Sequence, residues 1–135
     1  MRHRKIRGIL GRKSSHRKAL RRNLALALFE SGRVVTTPEK AKAVRPFAEK
    51  LITLAREKSL ANYRRALSIL PHEAMVRKLF NEIAPRYSSR PGGYTRIIRH
   101  FKHRIGDSAD LVIWELVTKE GSQDKPEEPG KGKGK

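Results

Sequence analysis

Ten of the first 22 residues are lysine or arginine and none is acidic: Arg2, Arg4, Lys5, Arg7, Arg12, Lys13, Arg17, Lys18, Arg21 and Arg22, interleaved with His3 and His16. Side chains of this type and spacing do one kind of chemistry well. They grip phosphates through charge-assisted hydrogen bonds, and arginine can also bind bidentately or stack on an unpaired base. An isolated basic pair is usually a solvated surface feature, but an acid-free run of ten fits a contact with a polyanion better. If six to eight of these charges meet phosphate, affinity should fall by roughly three to five decades between about 50 and 200 mM salt, on the duplex-DNA scaling.

A second acid-free stretch covers residues 86–104, with Arg86, Arg90, Arg96, Arg99, Lys102 and Arg104. Its leading part, APRYSSRPGGYTR at 84–96, sets Gly92 and Gly93, which allow close backbone approach, beside Tyr87 and Tyr94, which could stack on bases. That composition suits an RNA-docking loop. The plainer possibility is a helix-to-strand connection whose tyrosines plug the core. A nucleotide site needs a fuller glycine pattern and a following helix, and neither is present.

Other chemistries lack their residues. The chain has no cysteine, which removes disulfides, thiolate metal sites and thiol catalysis. His3, His16, His72, His100 and His103 form no metal-like or catalytic set, and no carboxylate within 86–104 could orient the last two. Asp107 and Asp110 flank a turn without an acid–base partner. Trp114 could stack on a base, but within LVIWELV a core role is the better expectation. No catalytic residue, metal, cofactor or small-molecule substrate is therefore expected, and the chain reads as a non-enzyme.

The whole-chain balance agrees. With 32 Lys+Arg against 13 Asp+Glu, the 135 residues carry a formal charge of +19. Self-repulsion of that size strains a compact state unless a polyanion supplies countercharge. No apolar run approaches the roughly 18 residues that would suggest a membrane span. The basic start is not followed by an apolar stretch of signal-peptide type, so the expected location is the cytoplasm, with no membrane partner.

The elements that must position these residues can be placed from local signals. Residues 1–13 offer few apolar anchors and are expected to be an extended basic arm. A helix should start at the Ser14-Ser15 pair and end before Gly32, with Leu20, Leu24, Ala27 and Leu28 as its core stripe. Arg17 and Arg21 stand four apart on it, as do Lys18 and Arg22. Such like-charge pairs each destabilise an isolated helix by a few tenths of a kcal/mol, an arrangement that makes sense under phosphate.

RVVTT at 33–37 reads as a strand, and Thr37-Pro38-Glu39 as the start of a long helix reaching about Lys58, with a seam of Ala41, Val44, Ala48, Leu51 and Ala55 and a kink at Pro46. A short helix at 60–70 precedes a third opened by Pro71. Residues 94–102 and 111–117 read as strands joined at Gly106-Asp107, the second being apolar enough to be central. The expected fold is therefore α+β, in two layers, with helices on one face of a small three-stranded sheet whose last strand lies in the middle. The folded domain should span 14–118, and residues 119–135, without apolar side chains, should form a disordered charged tail.

Motifs along residues 1–117 resemble the bacterial large-subunit ribosomal protein seventeen family: MRHRK at the start, SSHRKALRRNLA at 14–25, VVTTPEKAKAVR at 34–45, KLITLA at 50–55, VRKLFNEIAPRY at 76–87, GGYTRI at 92–97, and GD followed by ELV. The resemblance implies a two-layer α+β domain with a mixed three-stranded sheet, bound as one copy to large-subunit ribosomal RNA beside neighbouring ribosomal proteins near the polypeptide exit region. It also implies RNA contact by the basic N-terminus and the GGYTRI region, here Arg2 through Arg22 and Arg86 through Arg99. Pro46 and the charged tail depart from the family pattern. The competing reading from charge alone is a nucleoid or general DNA-binding protein, although no helix-turn-helix pair or dimer seam is evident. An RNA-modifying enzyme would need an acid–base pair or nucleophile that the sequence does not offer.

Overall fold

A computed structural model of the chain describes residues 9–118. Arg2, His3, Arg4, Lys5 and Arg7 of the expected arm, and the expected tail at 119–135, lie outside the described residues. The part of the arm that is described is not extended. Leu10 and Gly11 both take positive φ, of 54° and 61°, and the Arg12 N–H closes a tight turn on the Ile9 carbonyl at 3.1 Å.

Helix α1 (Ser14–Ser31) then begins with Lys13 in the capping position and no side-chain cap. The serine pair expected to cap it already lies inside the first turn. At the other end Gly32 stops the helix in the left-handed conformation, φ 75°, with its N–H on the Leu28 carbonyl at 2.8 Å. Lys78 donates to the Glu30 carbonyl at 2.8 Å, placing a cation at the negative end of the helix. Gly32→Ala is expected to destabilise the protein by about 1 kcal/mol, because a Cβ disfavours this φ. Open space surrounds the added carbon, so urea unfolding should report that backbone cost alone.

The buried face of α1 is Ala25, Leu28 and Phe29, while the expected Leu20, Leu24 and Ala27 are only half-buried. No residue of α1 before Ala25 is buried. The first two turns therefore stand clear of the core, which Leu24 is the first to touch, and a helical stripe predicts burial only where another element lies beneath it.

Strand β1 (Arg33–Thr36) leads into α2 (Pro38–Arg56), which has proline at its start and Glu39 in its first turn. Ala41, Val44, Ala48, Leu51 and Ala55 are buried as their spacing predicts, joined by Ile52. The helix passes through Pro46 as one element, and the proline sits on the exposed side, where water can satisfy the Lys42 carbonyl that loses its donor. Helix α3 (Leu60–Ile69) is capped by Ser59, whose Oγ accepts from the Asn62 N–H at 3.1 Å.

Helix α4 (Glu73–Lys78) starts two residues after Pro71, capped by His72 Nδ1, which accepts from the Met75 N–H at 3.3 Å. It continues through a π turn (Leu79–Ile83) into α5 (Ala84–Arg86). Pro85 cannot donate to the Asn81 carbonyl and its ring crowds that oxygen, and the widened turn just before it relieves the clash. Val76, Leu79, Phe80, Ile83 and Ala84 are buried along this path.

Strands β2 (Thr95–His103) and β3 (Asp110–Leu116) complete a sheet of order β1-β3-β2, with the last strand central as its apolar run predicts. Both pairings are antiparallel, so the sheet is not mixed, as the family resemblance implied. β1 and β2 do run in the same direction, but β3 separates them and no parallel pair forms.

Val34 and Ile97 lie opposite Trp114 on its two sides. Trp114 is fully buried, and α1 and α2 cover that face of the sheet. The opposite face is open: Val35 and Ile98, both paired with Ile113, are 52% and 42% exposed. This is the expected α+β architecture of helices layered on one face of a three-stranded sheet.

Candidate nucleic-acid interface

The N-terminal half of α1 concentrates positive charge where a helix least tolerates it. Lys13, His16, Arg17 and Lys18 crowd its positive end, the first turn holds no acid, and no side chain caps it. Cations there oppose the helix dipole and uncapped backbone N–H groups lack acceptors, two costs that an anion removes together. Lys13, His16 and Lys18 are exposed, and Arg21 and Arg22 half-buried. None of these residues has a carboxylate partner among the described residues.

Arg12 and Arg17 play a different part. Both are half-buried: Arg12 Nη1 donates to the Leu10 carbonyl at 2.7 Å, and Arg17 Nη1 to the Arg12 carbonyl. They tie the turn at residues 9–12 to the helix.

The expected docking loop divides. Tyr87 and Tyr94 are buried, 5% and 1% exposed, with ring centroids 5.2 Å apart. Their rings plug the core, so neither is available to stack on a base, which corrects one of the two possibilities the sequence allowed. The physical reason is the crossing of α2: Arg56 Nη1 donates to the Tyr94 hydroxyl at 3.0 Å and Nη2 to the Ser88 carbonyl at 2.9 Å. Burial pushes the Tyr87 phenol up, against the opposing charges of Arg86 and Arg90.

The remaining loop residues reach the surface. Arg86, Arg90, Arg96 and Arg99 are exposed, and Gly93 takes φ 64°, a turn that no bulky residue would make cheaply. Arg90, Gly93 and Arg96 converge with Arg45 on an open cleft of about 720 Å³. Its wall is fixed by Glu49, whose Oε1 accepts from Arg45 Nε at 3.0 Å and from Thr95 Oγ1 at 2.9 Å. Arg96 pairs with Glu115 across the sheet.

Arg99 opens instead on a neighbouring groove of about 640 Å³, with Lys42, Arg45, His100 and His103. Arg45 lines both clefts. It was not singled out in the sequence, and nothing local marks it, since its position depends on α2 crossing β2.

These surfaces offer cations and open grooves rather than a reaction centre. Among the described residues no group of three or more metal-binding side chains gathers. The strongest acidic perturbation is Asp107, whose carboxyl Arg104 holds well below the usual range, with a further bond from the Ala109 N–H. That pair closes the β2–β3 turn, as expected for turn chemistry.

A family model described as Ribosomal protein L17 matches residues 20–117. The chain belongs to the ribosomal protein L17 family. Among curated relatives, the large ribosomal subunit protein bL17 of Erythrobacter litoralis is 51% identical over 111 residues, spanning 82% of this chain and 79% of that protein. The protein of the same name from Carboxydothermus hydrogenoformans is 49% identical over 108 residues, 80% of this chain and 96% of that one. The Fusobacterium nucleatum protein is 47% identical over 117 residues, 87% of this chain and its own full length. The family is one of ribosomal proteins and not of enzymes, and its matched span covers α1 from Leu20, both clefts and the whole sheet.

Proposed function

We propose that this chain is a structural constituent of the large ribosomal subunit that binds large-subunit ribosomal RNA and acts in translation without catalysing a reaction. The observation that carries the RNA contact is the uncapped, acid-free N-terminal half of α1, which stands clear of the core with its cations unpaired. Residues 1–13 serve as a basic arm continuing that surface, and 14–118 as the domain that fixes its direction. Arg2, His3, Arg4, Lys5 and Arg7 join Lys13, His16, Lys18, Arg21 and Arg22 on phosphate. Arg86, Arg90, Arg96 and Arg99, with the Gly92-Gly93 backbone, form the second contact, Arg90 and Arg96 at one Arg45 cleft and Arg99 at the other, and Arg12 and Arg17 hold the arm's base.

One copy binds in a cytoplasmic ribosome, beside neighbouring large-subunit proteins, with no membrane partner. The apolar open face of the sheet, centred on Val35, Ile98 and Ile113, is the natural place for such a neighbour.

Binding of the full chain to purified large-subunit rRNA, titrated against salt, tests this. With six to eight phosphate contacts, log affinity should fall with log salt at a slope of about −4 to −7, the single-strand and duplex scalings setting the two ends. Specific RNA should retain the protein at salt that releases duplex DNA of equal length. Equal affinity for the DNA at every salt concentration would favour a general DNA-binding protein instead.

A further inference from the structure

We infer that the β2–β3 hairpin carries a base-stacking platform, built on Phe101 and His100, that takes an unpaired nucleotide of large-subunit rRNA. The inference rests on the proposed RNA-binding function and adds a third contact to it. β1 ends opposite Val112, and β3 from Leu111 backward has β2 alone as a neighbour. Residues 100–111 therefore form a two-stranded arm that extends past the three-stranded sheet. Phe101, in the stretch where the β2–β3 register shifts, is 83% exposed, and Ile105 at the turn is fully exposed, positions that burial energetics disfavour for a protein alone in water.

The platform is preorganised. The His100 and Phe101 rings are stacked, centroids 4.8 Å apart and 14° from parallel, and Lys102 Nζ stands 5.3 Å from the Phe101 centroid. His100 Nδ1 accepts from the Lys102 N–H at 3.0 Å, which fixes the imidazole plane. The turn beyond is pinned by Arg104 and Asp107, by the Arg104 N–H on the Ala109 carbonyl at 2.9 Å, and by Asp107 Oδ1 accepting from the Ala109 N–H at 3.2 Å.

Charge decides the occupant. Of the arm's two carboxylates, Asp107 is paired with Arg104, and Asp110 Oδ1 lies 3.1 Å from His103 Nδ1. Arg99 and Lys102, flanking the rings, have no carboxylate partner among the described residues. An apolar protein surface laid on Phe101 would desolvate these cations without compensation. A nucleotide offers a π-face to the ring and a phosphate to the cations at once, the combination used by single-strand binding surfaces.

The test compares the full chain with F101A, F101L and F101W in filter binding to purified large-subunit rRNA at about 0.3 M salt, where the sequence-independent electrostatic component is weakened. F101A and F101L should each bind about tenfold more weakly or worse, the effect of losing one stacked base, while F101W binds as the parent does. Thermal melts should be alike for all four, since Phe101 packs on nothing in the core. Parent-like binding by F101A or F101L, or a loss with F101W equal to that of F101A, overturns the platform. So does parent-like binding of F101A to bare rRNA together with its loss from assembled subunits, which would make Phe101 a protein contact. Failure of the parent chain itself to bind rRNA is a separate result and would reject the proposed function first.

Discussion

Replacing Lys18, Arg21 and Arg22 by glutamine is expected to lower the affinity of the full chain for large-subunit rRNA by about three decades. Each charged hydrogen bond to phosphate is worth about 1.5 kcal/mol or more, and three lost together give about 4.5 kcal/mol. Stability should stay level or rise slightly, because the substitutions remove the like-charge pairs Arg17–Arg21 and Lys18–Arg22. None of the three has a carboxylate partner among the described residues that would be orphaned. Arg17 is left in place because it braces the turn before the helix. A loss of less than tenfold in filter binding would mean that this face of α1 is a solvated surface. A matching fall in melting temperature would mean that its role is structural.

Trp114→Ala should have the largest effect on folding, about 3 to 5 kcal/mol in urea titration, the usual cost of removing a large aromatic from a closed core. For a domain of this size that is a large part of total stability. Trp114 is fully buried on the central strand, beneath both covering helices, and its cross-strand neighbours Val34 and Ile97 belong to the two edge strands. Its indole Nε1–H has no hydrogen-bond partner among the described residues. Trp114→Phe should therefore cost clearly less than the alanine change, because it shrinks the ring but also removes an unsatisfied donor. A phenylalanine variant as unstable as alanine would contradict the idea that volume, and not the polar edge, is what the core needs from this residue.

Much of this was legible in the sequence where the signal is local. Gly32, the Thr37-Pro38-Glu39 start and the Ala41-to-Ala55 seam depend on neighbours within one or two turns, and each lies where its spacing puts it. Trp114 and the central position of its strand followed from LVIWELV, the most continuously apolar of the strand segments, as suits a strand paired at both edges.

What was not legible depends on distant segments. Leu20 and Leu24 have the right periodicity, yet Leu24 packs against the core only in part and Leu20 lies a turn before it, so full burial moves to Ala25 and Phe29. Tyr87 and Tyr94 have a loop composition equally suited to RNA or to core, and what holds Tyr94 inward is Arg56, 38 residues away in sequence, with the Tyr87 ring packed against that of Tyr94. Strand direction has no local mark at all, since period-two alternation is the same read either way, and the wholly antiparallel sheet had to be seen. Arg45 was missed for the same reason: on its own helix it is one more solvated charge, and only the packing of α2 on β2 brings it to the clefts shared with Arg90 and Arg99.

The basic surface is expected to fix this chain into the large ribosomal subunit. The direct measurement is sedimentation of a cell lysate on a sucrose gradient after washing at about 0.5 M salt, where nonspecific phosphate binding is largely lost. The protein should remain in the large-subunit fraction, and the Lys18, Arg21 and Arg22 triple variant should move toward the top of the gradient. Recovery of the unaltered protein with chromosomal DNA, or free at the top, would contradict the account.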